Sequence, residues 1–139
     1  MIGNSVLDLV GNTPMVRINK MNTNKDVEVY AKLEGFEPSG SIKDRIALNM
    51  INEAEKSGEL KPGKIILEAT SGNTGIGLAM VGCQKGYHVI VVMSSSVSIE
   101  RRKIMKAFGA EVILTSADLG TDGAIMKVRE MMAENPDKY

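Results

Sequence analysis

Two residues stand out for where the chain puts them. Lys43 follows the turn-rich run Pro38-Ser39-Gly40-Ser41-Ile42 and directly precedes a helical pattern from Asp44 to Ser57. The positive end of a helix disfavours a cation. Desolvation added to that field promotes loss of the ammonium proton, and a neutral lysine amine is a nucleophile for carbonyls. Lys32, on the polar side of a strand-like run, and Lys103, in the middle of a helical pattern, lack this setting. On spacing alone, a solvated structural lysine fits position 43 equally well.

Asn73 stands in a second loop, Glu68-Ala69-Thr70-Ser71-Gly72-Asn73-Thr74-Gly75-Ile76-Gly77, between a buried strand pattern and a helix. Small hydroxyl residues and glycines let backbone N–H groups approach a ligand, and the helix start favours an anion, so a carboxylate or phosphate is the natural guest. The plainer reading is that Thr70 or Ser71 caps the helix and the glycines allow close packing. A side-chain amide and two hydroxyl types within five residues favour the ligand. The run is near T-G-x-x-x-G-I-G, the nucleotide loop of short-chain dehydrogenases, but Ser71 replaces a glycine. The companion Tyr-x-x-x-Lys is also missing, since Glu34 follows Tyr30 and Val91 follows Tyr87 at that spacing. That match is weak, whereas a neutral Lys43 would form a Schiff base with a carbonyl, for which pyridoxal phosphate is the common partner.

The elements that must hold these loops alternate along the chain. Val6 to Val10 is a short apolar segment, Gly11 to Pro14 a turn and Met15 to Ile18 a strand. Val27 to Leu33 alternates as a half-buried strand should. Asp44 to Ser57 puts Ile46, Ala47, Met50, Ile51 and Ala54 on one helical face, closed by Gly58. Apolar strand runs at Ile65–Leu67, Val89–Val92 and Val112–Leu114 then alternate with helices at Asn73–Gln84, Ser98–Phe108 and Thr121–Asn135. In the last helix Ile125, Val128 and Met132 are spaced for one face. The strand-like runs begin near residues 65, 88 and 111, but their sequences do not repeat. Such alternation predicts an α/β fold, a mostly parallel sheet of βα units with helices on both faces in three layers. Ligands sit beyond the carboxyl ends of the strands in such sheets, on the loops 38–43, 69–74 and 94–98.

Composition narrows the function. Lys plus Arg and Asp plus Glu are each 17, so the formal net charge is zero and nucleic acid is not an expected partner. Cys83 is the only cysteine and His88 the only histidine, which removes an intrachain disulfide and multi-cysteine or His-pair metal motifs. Cys83 reads as an inert core thiol, His88 as structural, and most of the ten methionines as core packing. The first residues lack a basic segment followed by a long apolar one, and no stretch reaches the length of a membrane span. A soluble cytoplasmic chain, with no membrane partner, is expected.

The motifs VGNTPMVRI, PSGSIKDRIA, EATSGNTGIGLA and SIERRKIMKAFGAEVILT occur in that order across the chain. With them the chain resembles the cysteine synthase (O-acetylserine sulfhydrylase) family of pyridoxal-phosphate enzymes, which includes cystathionine β-synthases and has the tryptophan synthase β-like fold. The resemblance implies that Lys43 is the Schiff-base lysine. Asn73 would hydrogen-bond the 3′-hydroxyl of the cofactor ring, and Thr70, Ser71, Gly72, Asn73 and Thr74 would grip the α-carboxylate of an amino-acid substrate. It implies β-replacement, in which an activated serine loses its β-substituent and sulfide adds to give cysteine, or the neighbouring condensation to cystathionine. A non-catalytic domain that binds an amino acid or a protein is the alternative from another class. Family members are longer, and their second half carries the phosphate cup and the partner of the pyridine nitrogen. The chain is therefore expected to be an N-terminal part, with residues 1–37 belonging to the large domain and 38–139 forming the small α/β domain. By itself it is expected to bind the cofactor weakly or not at all, to show little activity, and to pair with a missing C-terminal half or a second copy. Two local differences accompany this: Pro-Ser-Gly-Ser stands where the family often has Pro-Gly-Ser-Ser, and Met93 to Ser98 lacks the usual proline and acidic residue.

Overall fold

A three-stranded parallel sheet carries the 69–74 and 94–98 loops at the ends of its first two strands. The computed structural model describes residues 2–139. Strands β3 (Ile65–Ala69), β4 (His88–Ser94) and β5 (Glu111–Thr115) lie in the order β3-β4-β5. Their register pairs Leu67 with Ile90 and Ile90 with Glu111. Every residue of β4 after His88 is buried, as expected for the middle strand of a sheet covered on both faces.

The strand's alternation decides which helix packs where. Val89, Val91 and Met93 point to one side and meet Ile76 and Ala79 of helix α2 (Asn73–Gln84) and Met105 of helix α3 (Ile99–Ala107). Ile90 and Val92 point to the other side and meet Ala124 and Met131 of helix α4 (Gly120–Glu134). Helix α1 (Lys43–Ser57) lies on α2, with Ala47 and Ile51 against Leu78, Met80 and Val81. Two helical layers with a sheet between them confirm the predicted α/β architecture.

Helix α2 is buried along Gly75 to Gly82 and is apolar or small on every side, so no face of it is left for water. Its glycines set the distances to its neighbours. A methyl group added at Gly82 would come within 2.6 Å of Val89 Cγ2, and one at Gly75 within 2.7 Å of Thr70 Cγ2. One at Gly77 would lie 3.1 Å from the carbonyl oxygen of Lys43 and 3.2 Å from Ala47 Cβ. The first turn of α1 and the second turn of α2 therefore lie backbone against backbone.

Several expectations need correction. The run Val27 to Leu33 shrinks to strand β2 (Tyr30–Lys32), which pairs antiparallel with β1 (Met15–Arg17) in a separate ribbon. That ribbon is not half-buried: Met15, Val16, Val29 and Tyr30 are all exposed, because no second layer covers it among the described residues. Alternation alone does not say whether an apolar face has a partner. On α1, Ile46 and Met50 are exposed, and the buried stripe is Asp44, Ala47 and Ile51. On α4 the buried face is Gly123, Ala124 and Met131, one step around from the predicted face, and Met132 is exposed. Small residues let α4 lie close to the sheet, and an apolar count by size overlooks them. Met80, Met93, Met105 and Met131 are core residues, whereas Met15, Met21, Met50, Met126 and Met132 lie on the surface. Val6 to Val10, with no partner evident in sequence, forms a 3-10 turn over Val6–Leu9, and Val6, Leu7 and Val10 pack on the α1–α2 cluster.

Replacing Gly77 with alanine forces the added methyl against backbone that cannot swing away. Overpacking of this kind costs about 1–3 kcal/mol. Gly35, with nothing within 4 Å of an added methyl, is the control. Urea unfolding is expected to show a lower midpoint for Gly77→Ala and a change within about 0.5 kcal/mol for Gly35→Ala.

Candidate functional site

Lys43 and Asn73 are the first residues of α1 and α2 respectively. The close approach at Gly77 holds those two helix starts together. The sequence-predicted lysine and amide thus belong to one end of the domain, beyond the carboxyl end of β3. Lys43 is half-buried and enters none of the ion pairs among the described residues.

The loop before Lys43 is fixed from two sides by the residues that follow it. Asp44 is fully buried, and its carboxylate accepts the Ser39 N–H at 2.7 Å and the Ser39 hydroxyl in a short hydrogen bond. Gly40 has φ of 88°, the left-handed region that suits glycine. The order Ser39-Gly40 thereby has a physical reason: the serine supplies both donors to Asp44, and the glycine takes the turn. Lys43 N–H donates to Ser41 Oγ at 3.3 Å.

Arg45 grips the other side. Its Nε donates to Glu34 Oε2 at 2.7 Å and its Nη2 to Glu34 Oε1 at 3.0 Å, a two-pronged pair. The same Nε lies 2.7 Å from Glu37 Oε1, whose side chain is fully buried. Glu37 Oε2 accepts the Gly11 N–H at 2.8 Å, and Thr13 Oγ1 donates to Glu34 Oε1 at 2.5 Å. One guanidinium therefore ties the turn at residues 11–13, the 34–37 segment and the first turn of α1 into a single block. Sequence reasoning missed this network; a charged residue of each sign directly after the lysine was the available signal.

In the second loop, Thr70 Oγ1 accepts the Gly72 N–H at 3.2 Å and the Thr70 methyl abuts Gly75, so Thr70 shapes the loop. Gly72 takes the cap position of α2 in extended backbone, and no side chain caps that helix start. The backbone N–H groups there have the donor chemistry for an anion. Ser71 offers its carbonyl to Arg101 Nη1 at 3.0 Å. In the third loop, Ser94 and Ser96 share a hydrogen bond between their hydroxyls at 2.8 Å. Thr70, Ser71, Ser94, Ser96 and Thr121 are among the residues lining a cavity of about 200 Å³ between these loops and α4. Lys43, Asn73 and the open α2 start together offer an amine, an amide and an anion cradle. That set suits an aldehyde-bearing, anionic cofactor or its amino-acid partner.

Cys83 and His88 lie outside these loops. Cys83 packs beside the α2–α3 cluster, and burial pushes its thiol up, away from reactivity. His88 is half-exposed at the start of β4, 3.1 Å from Glu111 Oε2. Among the described residues no group of three or more His, Cys, Asp or Glu is placed to hold a metal, and no helix is long and apolar enough to cross a membrane.

The hydrogen bonds from Arg45, then from Thr13, hold the Glu34 carboxyl down from an ordinary 4.5 to about 2. A carboxyl whose pKa is depressed on folding stabilises the folded state fully above its unfolded value and loses that contribution as pH falls. The window lies between about 4.5 and about 2. Glu34→Gln is therefore expected to lower stability near neutrality and to flatten the acid limb of a stability–pH curve across that window. An unchanged acid limb in urea titrations would contradict the assignment.

The comparisons with known proteins agree with this geometry. A family model described as "Pyridoxal-phosphate dependent enzyme" matches residues 6–139. The cysteine synthase of Aquifex aeolicus is 54% identical over 138 residues, which is 97% of this chain and 42% of that protein. The crystal structure of a cysteine synthase from Entamoeba histolytica superposes with a TM-score of 0.96 at 45% identity, covering all of this chain and 42% of the other. An O-acetylserine-dependent cystathionine β-synthase from Helicobacter pylori gives 0.88 at 38% identity, covering 46% of that chain. The chain thus spans well under half of the relatives it matches. Matched over almost its whole length, it belongs to the pyridoxal-phosphate-dependent enzyme family.

Proposed function

We propose that this chain is the lysine-bearing part of a cysteine synthase, which replaces the β-substituent of an activated serine such as O-acetylserine with sulfide. The observation that carries the reading is the pairing of Lys43 and Asn73 at two helix starts held together through Gly77. The identity to cysteine synthases, higher than to the cystathionine-forming neighbour, favours sulfide as the incoming group.

Each residue has a separate task. Lys43 would supply the amine that holds the cofactor aldehyde, and that amine would take the proton from the α-carbon of the substrate. The side-chain amide of Asn73 would hydrogen-bond the ring hydroxyl and orient the ring. The backbone N–H groups of residues 71–74, with the hydroxyls of Thr70, Ser71 and Thr74, receive the α-carboxylate at the positive end of α2. Bound pyridoxal phosphate supplies an electron sink for the pair left at the α-carbon. Asp44 and Arg45 keep the lysine's own loop from swinging, so its amine meets the α-carbon in one orientation.

Residues 38–139 act in this reading as the smaller domain. The ribbon within residues 1–37, with Met15, Val16, Val29 and Tyr30 exposed, is assigned to a larger domain of the kind that fills the remaining length of the relatives. Cofactor binding by these residues alone is accordingly weak.

Reductive trapping tests the reading. The chain is incubated with pyridoxal phosphate and borohydride, and the modified lysines are located by peptide mass spectrometry. Lys43 is expected to be labelled ahead of Lys32 and Lys103, with free L-serine competing for the aldehyde. Equal labelling of all three lysines would count against a built site.

A further inference from the structure

Helix α3 carries two adjacent arginines as its third and fourth residues, after Ile99 and Glu100, near the helix start whose field opposes cations. Ser98 is the cap, and Arg101 and Arg102 follow in the first turns. Neither is paired with a carboxylate among the described residues. Both instead donate to backbone carbonyls outside their own helix. Arg101 Nη1 donates to Ser71 O at 3.0 Å. Arg102 Nη2 donates to Val97 O at 2.6 Å and, in a shorter bond, to Ser95 O.

Those carbonyls belong to two different loops, 70–74 and 94–98, which together line the cavity of about 200 Å³. Met105 is the only fully buried residue of α3, and the two arginine contacts add a second attachment near the helix start. Arg101 and Arg102 share one stretch of helical backbone, so a shift of that backbone moves both anchor points. A displacement of Ser71 is passed to Arg101, from there to the backbone of Arg102, and then to Ser95 and Val97. Hydrogen bonds from a charged donor are among the stronger ones, which makes the connection stiff.

We propose that Arg101 and Arg102 are positioning residues that couple the two loops, so that the 70–74 and 94–98 loops present one rigid pocket and move as a unit when an amino acid binds. The binding half of this statement rests on the carboxylate reading given above. The coupling half concerns the protein without ligand and is tested separately.

The test is amide hydrogen exchange on the 139-residue chain, read at Gly72, whose N–H is held by Thr70 Oγ1, and at Val97, whose N–H is held by Ser94 O. Loss of one charge-assisted hydrogen bond should speed local opening by about fivefold or more. Arg101→Ala is expected to speed exchange at Gly72 and also at Val97, while Val91 and Val92 in β4 stay unchanged. Arg102→Ala is expected to do the reverse, acting first at Val97 and then at Gly72. Arg101→Lys, which keeps a cationic donor, should restore most of the protection at both positions. Acceleration confined to the loop that each arginine touches would overturn the coupling, as would unchanged exchange in both loops. General acceleration that includes β4 would show a merely structural role and would also overturn it. Titration of the same variants with L-serine separates the two readings. A wild-type chain in which L-serine leaves residues 70–74 unshifted refutes the carboxylate site, and the exchange result stands regardless.

Discussion

A glycine facing a carbonyl oxygen governs the arrangement of this site. Gly77 lets α2 come so near α1 that an added methyl would lie 3.1 Å from the oxygen of Lys43. The contact joins the first turn of α1 to the second turn of α2, so it limits how far apart the starting residues of the two helices, Lys43 and Asn73, can lie. The neighbouring glycines serve the same helix in other directions, Gly82 toward Val89 and Gly75 toward Thr70. Helix α2 is thus wedged between the sheet and α1, with no slack on either side.

A second constraint acts on the loop instead of the helices. Lys43 is flanked by Asp44 and Arg45, whose charges have opposite tasks. Asp44, fully buried, accepts from the backbone and hydroxyl of Ser39 and so closes the turn before the lysine. Arg45 joins Glu34 and Glu37 and, through them, Gly11 and Thr13. Burial of such a network is expensive unless every member is paired, and loss of one partner strands the others. The flexible residue of the site, a lysine, is therefore mounted on one of the least flexible stretches of the chain. That combination suits a group that must hold a partner and later move a proton.

Much of this was legible in the residues themselves. The βα alternation, the central strand and both ligand loops could be read from apolar runs and turn chemistry, because parallel strands buried on two faces leave an unmistakable pattern in β4. What the sequence concealed was pairwise. The exposed ribbon formed by β1 and β2 alternates like a half-buried strand, yet nothing among the described residues covers it. The buried face of α4 runs through Gly123 and Ala124, residues too small to register in an apolar pattern. The Arg45 cluster joins positions 11, 13, 34, 37 and 45, and no local spacing rule brings such distant residues together. For the last of these the sequence carried a hint: Arg45 is a cation in the first turn of α1, where the helix field opposes it, and it is held there by Glu34.

The central claim is that Lys43 and the start of α2 form one binding place. Amide chemical shifts of the isotopically labelled chain, followed as pyridoxal phosphate is added, test it most directly. The account predicts that the shifts cluster at residues 38–44 and 70–75 together, and that Lys43→Ala removes them from both segments. Shifts confined to one segment, or scattered over surface lysines and unaffected by Lys43→Ala, would contradict it.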